Sequence, residues 1–195
     1  MTLGATLSLA MGMLAPVEEH RPPFEGTFVR LRAHEPADLS TLNDLINEPD
    51  VGAELGMAMP QPVSGFRAFV EAGATDPSRA TFAIERIEGR VPVGGCSLFQ
   101  IETSARSAVL GTWLGKPYWD TGLGTDAVRT LCRFGFDHMN LRRIELTVFE
   151  TNARARRAYE KVGFVLEGTR RRSEFVDGRL VNSHLMALLA EELVG

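Results

Sequence analysis

The pattern of hydrophobic and polar positions divides this chain into segments with a period of two residues, typical of strands, and segments with the helical period. Thr27–Leu31 alternates in the manner of a first strand. Three later segments, separated by short turns, predict an antiparallel meander: Thr81–Ile87, Val91–Ile101 and Ser107–Leu114.

Two helices are predicted between the first strand and the meander. Residues 35–38 open the first one, and the leucines and isoleucine that follow fall on one helical face. The second covers Ser64–Gly73, with Ser64 as its N-cap. The segment Asn47–Gly56 between them is rich in turn residues and predicts a break without regular structure.

Two more helices are predicted after the meander. One begins near Thr125, and the other covers Ala153–Val162, with Asn152 as N-cap and Gly163 as the residue that ends it. The remaining segments with strand periodicity are Ile144–Phe149, Phe164–Glu167, Arg170–Val176 and Val181–Leu189. The whole pattern predicts one mixed α/β (α+β) domain over residues 24–195, with about four helices.

The sequence predicts that residues 1–23 form a flexible N-terminal extension. The first sixteen are apolar, but no Lys or Arg precedes Arg21, so the segment lacks the basic start of a secretory signal. The run is also too short and too rich in Gly and Ala to span a bilayer.

Composition and charge narrow the class of protein. Hydrophobic residues make up 44% and charged residues 24% of the 195 residues, as in an ordinary globular domain. The formal net charge of -4 argues against a nucleic-acid or membrane-surface partner. Cys96 and Cys132 form no metal-ligand cluster and read as inert buried thiols, so no metal is expected and a cytoplasmic location fits.

The segment Trp119–Thr125 lies between a predicted strand and a predicted helix and has the features of an anion-binding turn. Gly122 and Gly124 allow a tight turn, and the helix start adds unpaired N–H groups and the positive end of its dipole. The amides expected to face the anion belong to Thr121, Gly122, Leu123, Gly124 and Thr125. Turns of this kind also serve close packing without a ligand.

Two familiar phosphate loops do not match this segment. It lacks the Gly-Lys-Ser/Thr of a Walker-type loop. A dinucleotide fingerprint would need a third glycine where Ala127 stands, and it belongs to a repeated βαβ array, whereas this turn follows an antiparallel meander.

Four motifs occur in order around this turn. They are Thr112-Trp113-Leu114, Trp119-Asp120-Thr121-Gly122-Leu123-Gly124-Thr125-Asp126-Ala127, the stretch Asn152–Phe164, and Glu167-Gly168-Thr169-Arg170. In these motifs the sequence resembles the GNAT superfamily of N-acetyltransferases. More narrowly, it resembles the branch that contains the Rim-type acetyltransferases of ribosomal-protein N-termini. The match runs from about residue 24 to 190.

The resemblance implies a GNAT-type, mostly antiparallel sheet of six to seven strands, whose central strands splay apart around the pantetheine arm of coenzyme A. Backbone groups of Trp113, Leu114 and Gly115 would pair with the amides of this arm. The amides of the turn 121–125 would take the pyrophosphate. Asn152 would contact the arm, unless it serves only as a helix cap.

The helix after Asn152 carries further implied site residues. By resemblance, the Tyr159 hydroxyl protonates the departing thiolate as general acid; the alternative is a core tyrosine. Arg157 and Lys161, together with Arg156, would reach the phosphates of the nucleotide end or form a solvated helix face.

The general base is left open by the sequence. Some family members carry carboxylates at the places that Thr147 and Val109 occupy here, and neither residue can act as a base. Glu54 and His184 are weak candidates for a base on the acceptor side, Glu150 reads equally as a solvated carboxylate, and a water relay is a further alternative.

The function implied is transfer of an acyl group, foremost acetyl, from acyl-CoA to a primary amine by direct attack in a ternary complex. The acceptor is expected to be a small-molecule amine or a protein N-terminus, and homodimers are frequent among relatives. Two alternatives are a catalytically silent acyl-CoA-binding or regulatory protein on the same fold, and an ordinary nucleotide-binding α/β domain.

Overall fold

The computed structural model describes residues 22–194, so nearly all of the extension 1–23 lies outside the described residues. Within this range no helix is long and apolar enough to cross a bilayer. The strands are β1 Val29–Arg32, β2 Ala80–Arg86, β3 Val91–Glu102, β4 Ser107–Leu114, β5 Arg143–Phe149, β6 Val165–Val176 and β7 Arg179–Leu189. The α-helices are α1 Asp38–Ile46, α2 Pro49–Glu54, α3 Val63–Thr75, α4 Leu123–His138 and α5 Ala153–Val162.

All seven strands belong to one sheet in the order β1-β2-β3-β4-β5-β7-β6. Every neighbouring pair is antiparallel except β4 and β5, which are parallel. That pairing is short, because it covers only Ser107–Arg143, Ala108–Ile144 and Val109–Glu145. Beyond Val109 the two strands diverge, so the mixed sheet with splayed central strands is confirmed.

Three local predictions differ from the structure. The predicted break Asn47–Gly56 contains α2, which starts at Pro49, a position where the fixed φ of proline suits the first helical turn. The cap of α3 is Pro62 rather than Ser64, which lies inside the helix. The two predicted strands from Phe164 to Val176 are one strand, β6, because bulges absorb the irregular segments.

The sheet separates two apolar clusters. On one face, α4 and α5 pack against the centre of the sheet through residues such as Leu131, Ile144 and Val162. On the other face, α1 and α3 pack through Leu42 and Phe66. Side chains alternate between the faces along each strand, so a single strand contributes to both clusters.

A buried carboxylate ties the start of the sheet to the start of α4. Asp126, in the first turn of α4, is 4% exposed and accepts the N–H groups of Thr27 at 3.0 Å, Phe28 at 2.7 Å and Val29 at 3.1 Å. Its negative charge also suits the positive end of the helix dipole. A Cβ on Gly26 would lie 2.4 Å from the Asp126 carboxylate, so a larger residue there would displace this anchor.

Replacing Asp126 tests this anchor. Asp126→Ala would leave three backbone donors without their acceptor, so we expect a loss of about 3 kcal/mol of unfolding free energy, or a melting temperature lower by about 6–12 °C. Thermal unfolding followed by circular dichroism measures the change. Asp126→Asn keeps one acceptor oxygen and should lose less. Asp137→Ala, at an exposed aspartate of the same helix, is the matched control; an equal loss in that variant would contradict the assignment.

Candidate active site

The divergence of β4 and β5 opens a cleft of about 360 Å³ across the middle of the sheet. One wall is the second half of β4, and the other is formed by the end of β5 and the first turns of α5. The start of α4 and the end of α2 close it from the sides. Residues that line it include Glu54, Thr112, Gly124, Asn152, Arg154, Tyr159 and Arg170.

The β4 edge offers backbone groups to this cleft in a fixed alternation. The N–H of Gly115 donates to Val93 on β3 at 2.9 Å, and the carbonyl of Gly115 accepts the N–H of Tyr118 at 3.0 Å. Because alternate residues of a strand face opposite neighbours, Trp113 also directs its backbone to β3, whereas Leu114 and Thr112 face the cleft.

This alternation bears on the expected contacts of Trp113, Leu114 and Gly115 with the pantetheine arm, which stay predictions. The backbone groups of Gly115 and Trp113 are directed away from the space predicted for the pantetheine arm, and the Trp113 ring packs edge-on against Phe66 with the ring centres 6.4 Å apart. Leu114 does face the cleft, but its carbonyl accepts the indole N–H of Trp119 at 2.8 Å. The backbone groups of β4 that face the cleft are therefore those of Thr112 and Leu114.

The predicted anion-binding turn lies at one end of the cleft. Gly122 has a φ of 87°, a left-handed conformation that favours glycine, and is the N-cap of α4. The helix begins at Leu123, two residues before the predicted start, and the buried side chain of Leu123 holds the turn in place. Within residues 22–194, the amides from Thr121 to Thr125 have no acceptor. They converge at the positive end of a 16-residue helix, which suits an anion.

Asn152 lies at the N-cap position of α5. Its Oδ1 accepts the N–H of Ala155 at 2.9 Å, so it is the helix cap that the sequence predicted. The side chain is also one of the residues that line the cleft, and it is 8% exposed. The cap fixes the direction in which the first turns of α5 face the cleft.

Tyr159 reaches the cleft from the same helix. The residue is 7% exposed, and burial raises the pKa of its hydroxyl to about 12, so it is protonated at neutral pH. Among the described residues this hydroxyl has no hydrogen-bond partner, and it is not one of the fully buried polar atoms. A protonated hydroxyl without a protein partner is free to donate to a group that enters the cleft.

Arg154 is a site residue that sequence reasoning missed. Its guanidinium lies 3.9 Å from the centre of the Trp119 ring and forms an ion pair with Glu54. One side chain therefore connects α5, the anion-binding turn and α2. The available signal was helical spacing, because Arg154 precedes Ala158 by one turn and so shares the inward stripe of Tyr159.

The other basic residues of α5 lie elsewhere. Arg156 pairs with Glu160 at 2.8 Å along the helix surface. Arg157 and Lys161 are exposed and do not line the cleft. Their predicted contact with the nucleotide end stays a prediction.

Glu54 ends α2 at the rim of the cleft. Its side chain is half-buried, and burial raises the pKa of the carboxyl, while the charge of Arg154 and the nearby Asn152 amide oppose this rise. Across the cleft, Arg170 donates to the Thr147 hydroxyl at 3.2 Å. The carboxylates of Glu54 and Glu174 therefore line the same cleft as Tyr159.

His184 and Glu150, the other candidate bases, lie away from this cleft. His184 pairs with Val148 on β5, so its side chain projects from the sheet face opposite to Thr147, and its ring contacts the Thr169 hydroxyl at 3.0 Å. The expected role of His184 on the acceptor side stays a prediction. Glu150 accepts both the backbone N–H and the side-chain N–H of Asn182 on β7.

Comparison with known proteins identifies the class. The model of the acetyltransferase (GNAT) domain family matches residues 29–165. The chain belongs to this family.

Individual relatives agree with this membership. The chain is 32% identical over 103 residues to the uncharacterized N-acetyltransferase p20 of Bacillus licheniformis, a match that covers 53% of this chain and 58% of that protein. It is 27% identical over 174 residues to YdaF of Bacillus subtilis, a candidate ribosomal N-acetyltransferase. That match covers 86% of this chain and 94% of YdaF. The match to p20 thus spans little more than half of its length.

Solved structures show the same fold. The spermidine N-acetyltransferase of Vibrio cholerae, crystallised with CoA and spermine, superposes with a TM-score of 0.77 at 24% identity. The superposition covers 84% of this chain and 96% of that chain.

The contact between Arg154 and Glu54 can be tested by titration. Arg154→Met keeps a side chain of similar length against Trp119 but removes the charge that lowers the pKa of Glu54. We expect the Glu54 pKa to rise, measured by carbon-detected NMR of the side-chain carboxyl. Arg156→Met, which removes a guanidinium paired on the helix surface, should leave that pKa unchanged. An unchanged or lower pKa in Arg154→Met would contradict the proposed contact.

Proposed function

We propose that this chain transfers an acetyl group from acetyl-CoA to a primary amine by direct attack, with both substrates bound together. The observation that carries the proposal is the cleft between β4 and β5, which joins free helix-start amides at one end to the Tyr159 hydroxyl inside. Family membership supports the same reaction class and the same acyl donor. The acting unit is the domain from residue 24 to 195.

The residues present fit a pantetheine-linked pyrophosphate. The amides of Thr121–Thr125 are assigned to the pyrophosphate, because they are unpaired among the described residues and lie at a helix N-terminus. The backbone N–H groups of Leu114 and Thr112 are assigned to the arm, in place of Trp113 and Gly115. Asn152 lines the same space, and the exposed Arg157 and Lys161 are assigned to the nucleotide end through their charge.

Tyr159 is assigned the role of general acid. Bound acetyl-CoA supplies an activated acyl group on sulfur. The amine nitrogen forms the new bond to the acyl carbon as the carbon–sulfur bond breaks, and the sulfur leaves with the electron pair. Tyr159 donates its proton to that sulfur. A pKa of about 12 keeps the hydroxyl protonated until that moment.

Glu54 is assigned the role of base, directly or through a water. The attacking amine must be neutral, because an ammonium has no lone pair, so the site has to take one proton from it. Burial raises the pKa of Glu54 toward that of a useful base, while the positive charge of Arg154 opposes this rise. Rates should therefore rise with pH as Glu54 loses its proton.

The acceptor is assigned to the class of primary amines, either a small molecule or a protein N-terminus. The Rim-type motifs around Trp119 and the likeness to a candidate ribosomal N-acetyltransferase favour a protein N-terminus. The fold shared with a spermidine N-acetyltransferase supports the small-molecule alternative by analogy. We place the reaction in the cytoplasm, since Cys96 and Cys132 are both free thiols.

The acyl donor can be tested without knowledge of the acceptor. At a concentration about a hundredfold above its Kd, acetyl-CoA should stabilise the protein by about 2.7 kcal/mol and raise its melting temperature by about 5–10 °C. ATP and NAD should leave the melting temperature unchanged. An equal response to ATP or NAD would instead favour an ordinary nucleotide-binding domain.

The role of Tyr159 can be tested with an amine and peptide panel and a thiol-release assay. Tyr159→Phe should lower kcat on the order of a hundredfold or more, because it removes the proton donor, with little change in KM for acetyl-CoA. Tyr118→Phe, at the other tyrosine of the chain, should retain activity. Binding of acetyl-CoA without turnover on any acceptor would sink the proposal and favour a silent binding protein.

A further inference from the structure

A second cavity of about 280 Å³ lies on the sheet face covered by α1 and α3, beside the cleft. It shares with the cleft the residues Leu55, Gly111, Thr112 and Trp113. The second cavity therefore begins where β4 also forms a wall of the cleft, next to Glu54. The proposed reaction does not account for it.

The strands that form the floor of the second cavity carry small residues there, and these residues leave the space above them open. Ser97 on β3 pairs with Gly111 on β4, and Gly95 pairs with Trp113 on the same face. A Cβ on Gly111 would lie 3.5 Å from the Ser97 hydroxyl, and one on Gly95 would lie 2.8 Å from the Trp113 indole nitrogen. Larger residues at these positions would fill the space.

The roof of the second cavity is apolar and held in place. It consists of Ile46, Leu55, Met57, Phe66 and Phe69. At its rim, the side-chain amide of Asn47 binds both backbone groups of Gln61, each at 2.7 Å. Two helix ends and the segment between them are thus fixed over the cavity rather than left as an open loop.

The charge of the lining decides between classes of amine. No Asp or Glu of the described residues lines the second cavity, and burial lowers the pKa of its one histidine, His34, which disfavours the charged form of that ring. A second ammonium group on the acceptor would be buried there without a carboxylate, which is costly. An apolar group would be stabilised in proportion to the surface that it buries.

We propose that the second cavity is the acceptor subsite and that it selects primary amines carrying a branched aliphatic or aromatic group close to the reacting nitrogen. This inference rests on the proposed N-acetyltransferase function. The volume agrees with such a group, because an apolar cavity of about 150 Å³ is enough to hold benzene. Polyamines are poor acceptors on this assignment.

The test is the second-order rate constant kcat/KM for a size series of amines with saturating acetyl-CoA. From ethylamine to isoamylamine and phenylethylamine, each added methylene should raise kcat/KM about fourfold. Spermidine should be a poorer acceptor than isoamylamine. Peptides beginning with Leu or Phe, compared with peptides beginning with Gly or Asp, show whether the apolar group belongs to a free amine or to a chain N-terminus.

Ser97→Leu fills the second cavity from its floor. It should lower kcat/KM for phenylethylamine by about tenfold or more while ethylamine is little affected. Ser107→Leu, at a partly buried serine of β4 outside the cavity, is the matched control. The acceptor subsite can also be tested in the unmodified protein, in which 2-phenylethanol should inhibit competitively against the amine.

Failure of the proposed function and failure of this inference would give different results. If no amine or peptide is acetylated, both the proposed function and this inference are overturned. If amines are acetylated but kcat/KM does not depend on apolar size, or spermidine is preferred, the acceptor subsite is refuted and the transferase function stands.

Discussion

β4 and β5 are hydrogen-bonded over three residue pairs, and each then keeps its outer partner while the two separate. β4 stays paired with β3 as far as Leu114, and β5 stays paired with β7 as far as Phe149. The strands are therefore rigid on their outer edges and unpaired on their inner edges. Unpaired backbone groups inside a protein need partners, so this gap is a ready site for an extended ligand that carries amides.

The two helices that follow β4 and β5 bring the chemistry to this gap. α4 starts at the mouth of the gap with unpaired amides, and Asp126 in the same turn is satisfied by the N–H groups of residues 27–29 rather than by the turn itself. The Asn152 cap sets the start of α5, which places Arg154 in the first turn and Tyr159 about two turns from the cap, both on the cleft side. If Tyr159 is the general acid that we propose, capping and catalysis depend on the same short segment.

Local pattern was enough for most elements, because periodicity and caps act over a few residues. β4 at Ser107–Leu114 and α5 at Ala153–Val162 have the predicted bounds, whereas the six-residue α2 is too short to show a period. The ion pair of Glu54 with Arg154 joins positions 100 residues apart, and no local signal predicts it. The face on which His184 lies could not be predicted either, because alternation shows that neighbouring residues face opposite ways but not which face is which.

If the proposed assignments hold, the alternation along β4 also separates cofactor binding from acceptor choice. Thr112 and Leu114 direct their backbones into the cleft, whereas the small floor formed by Gly111 with Ser97 opens on the face under α1 and α3. Side chains in that floor can change without moving the strand edge, because backbone hydrogen bonds to β3 hold β4 in register. A fold with a constant acyl donor can therefore acquire different acceptors by changing a few residues on one face of one strand pair.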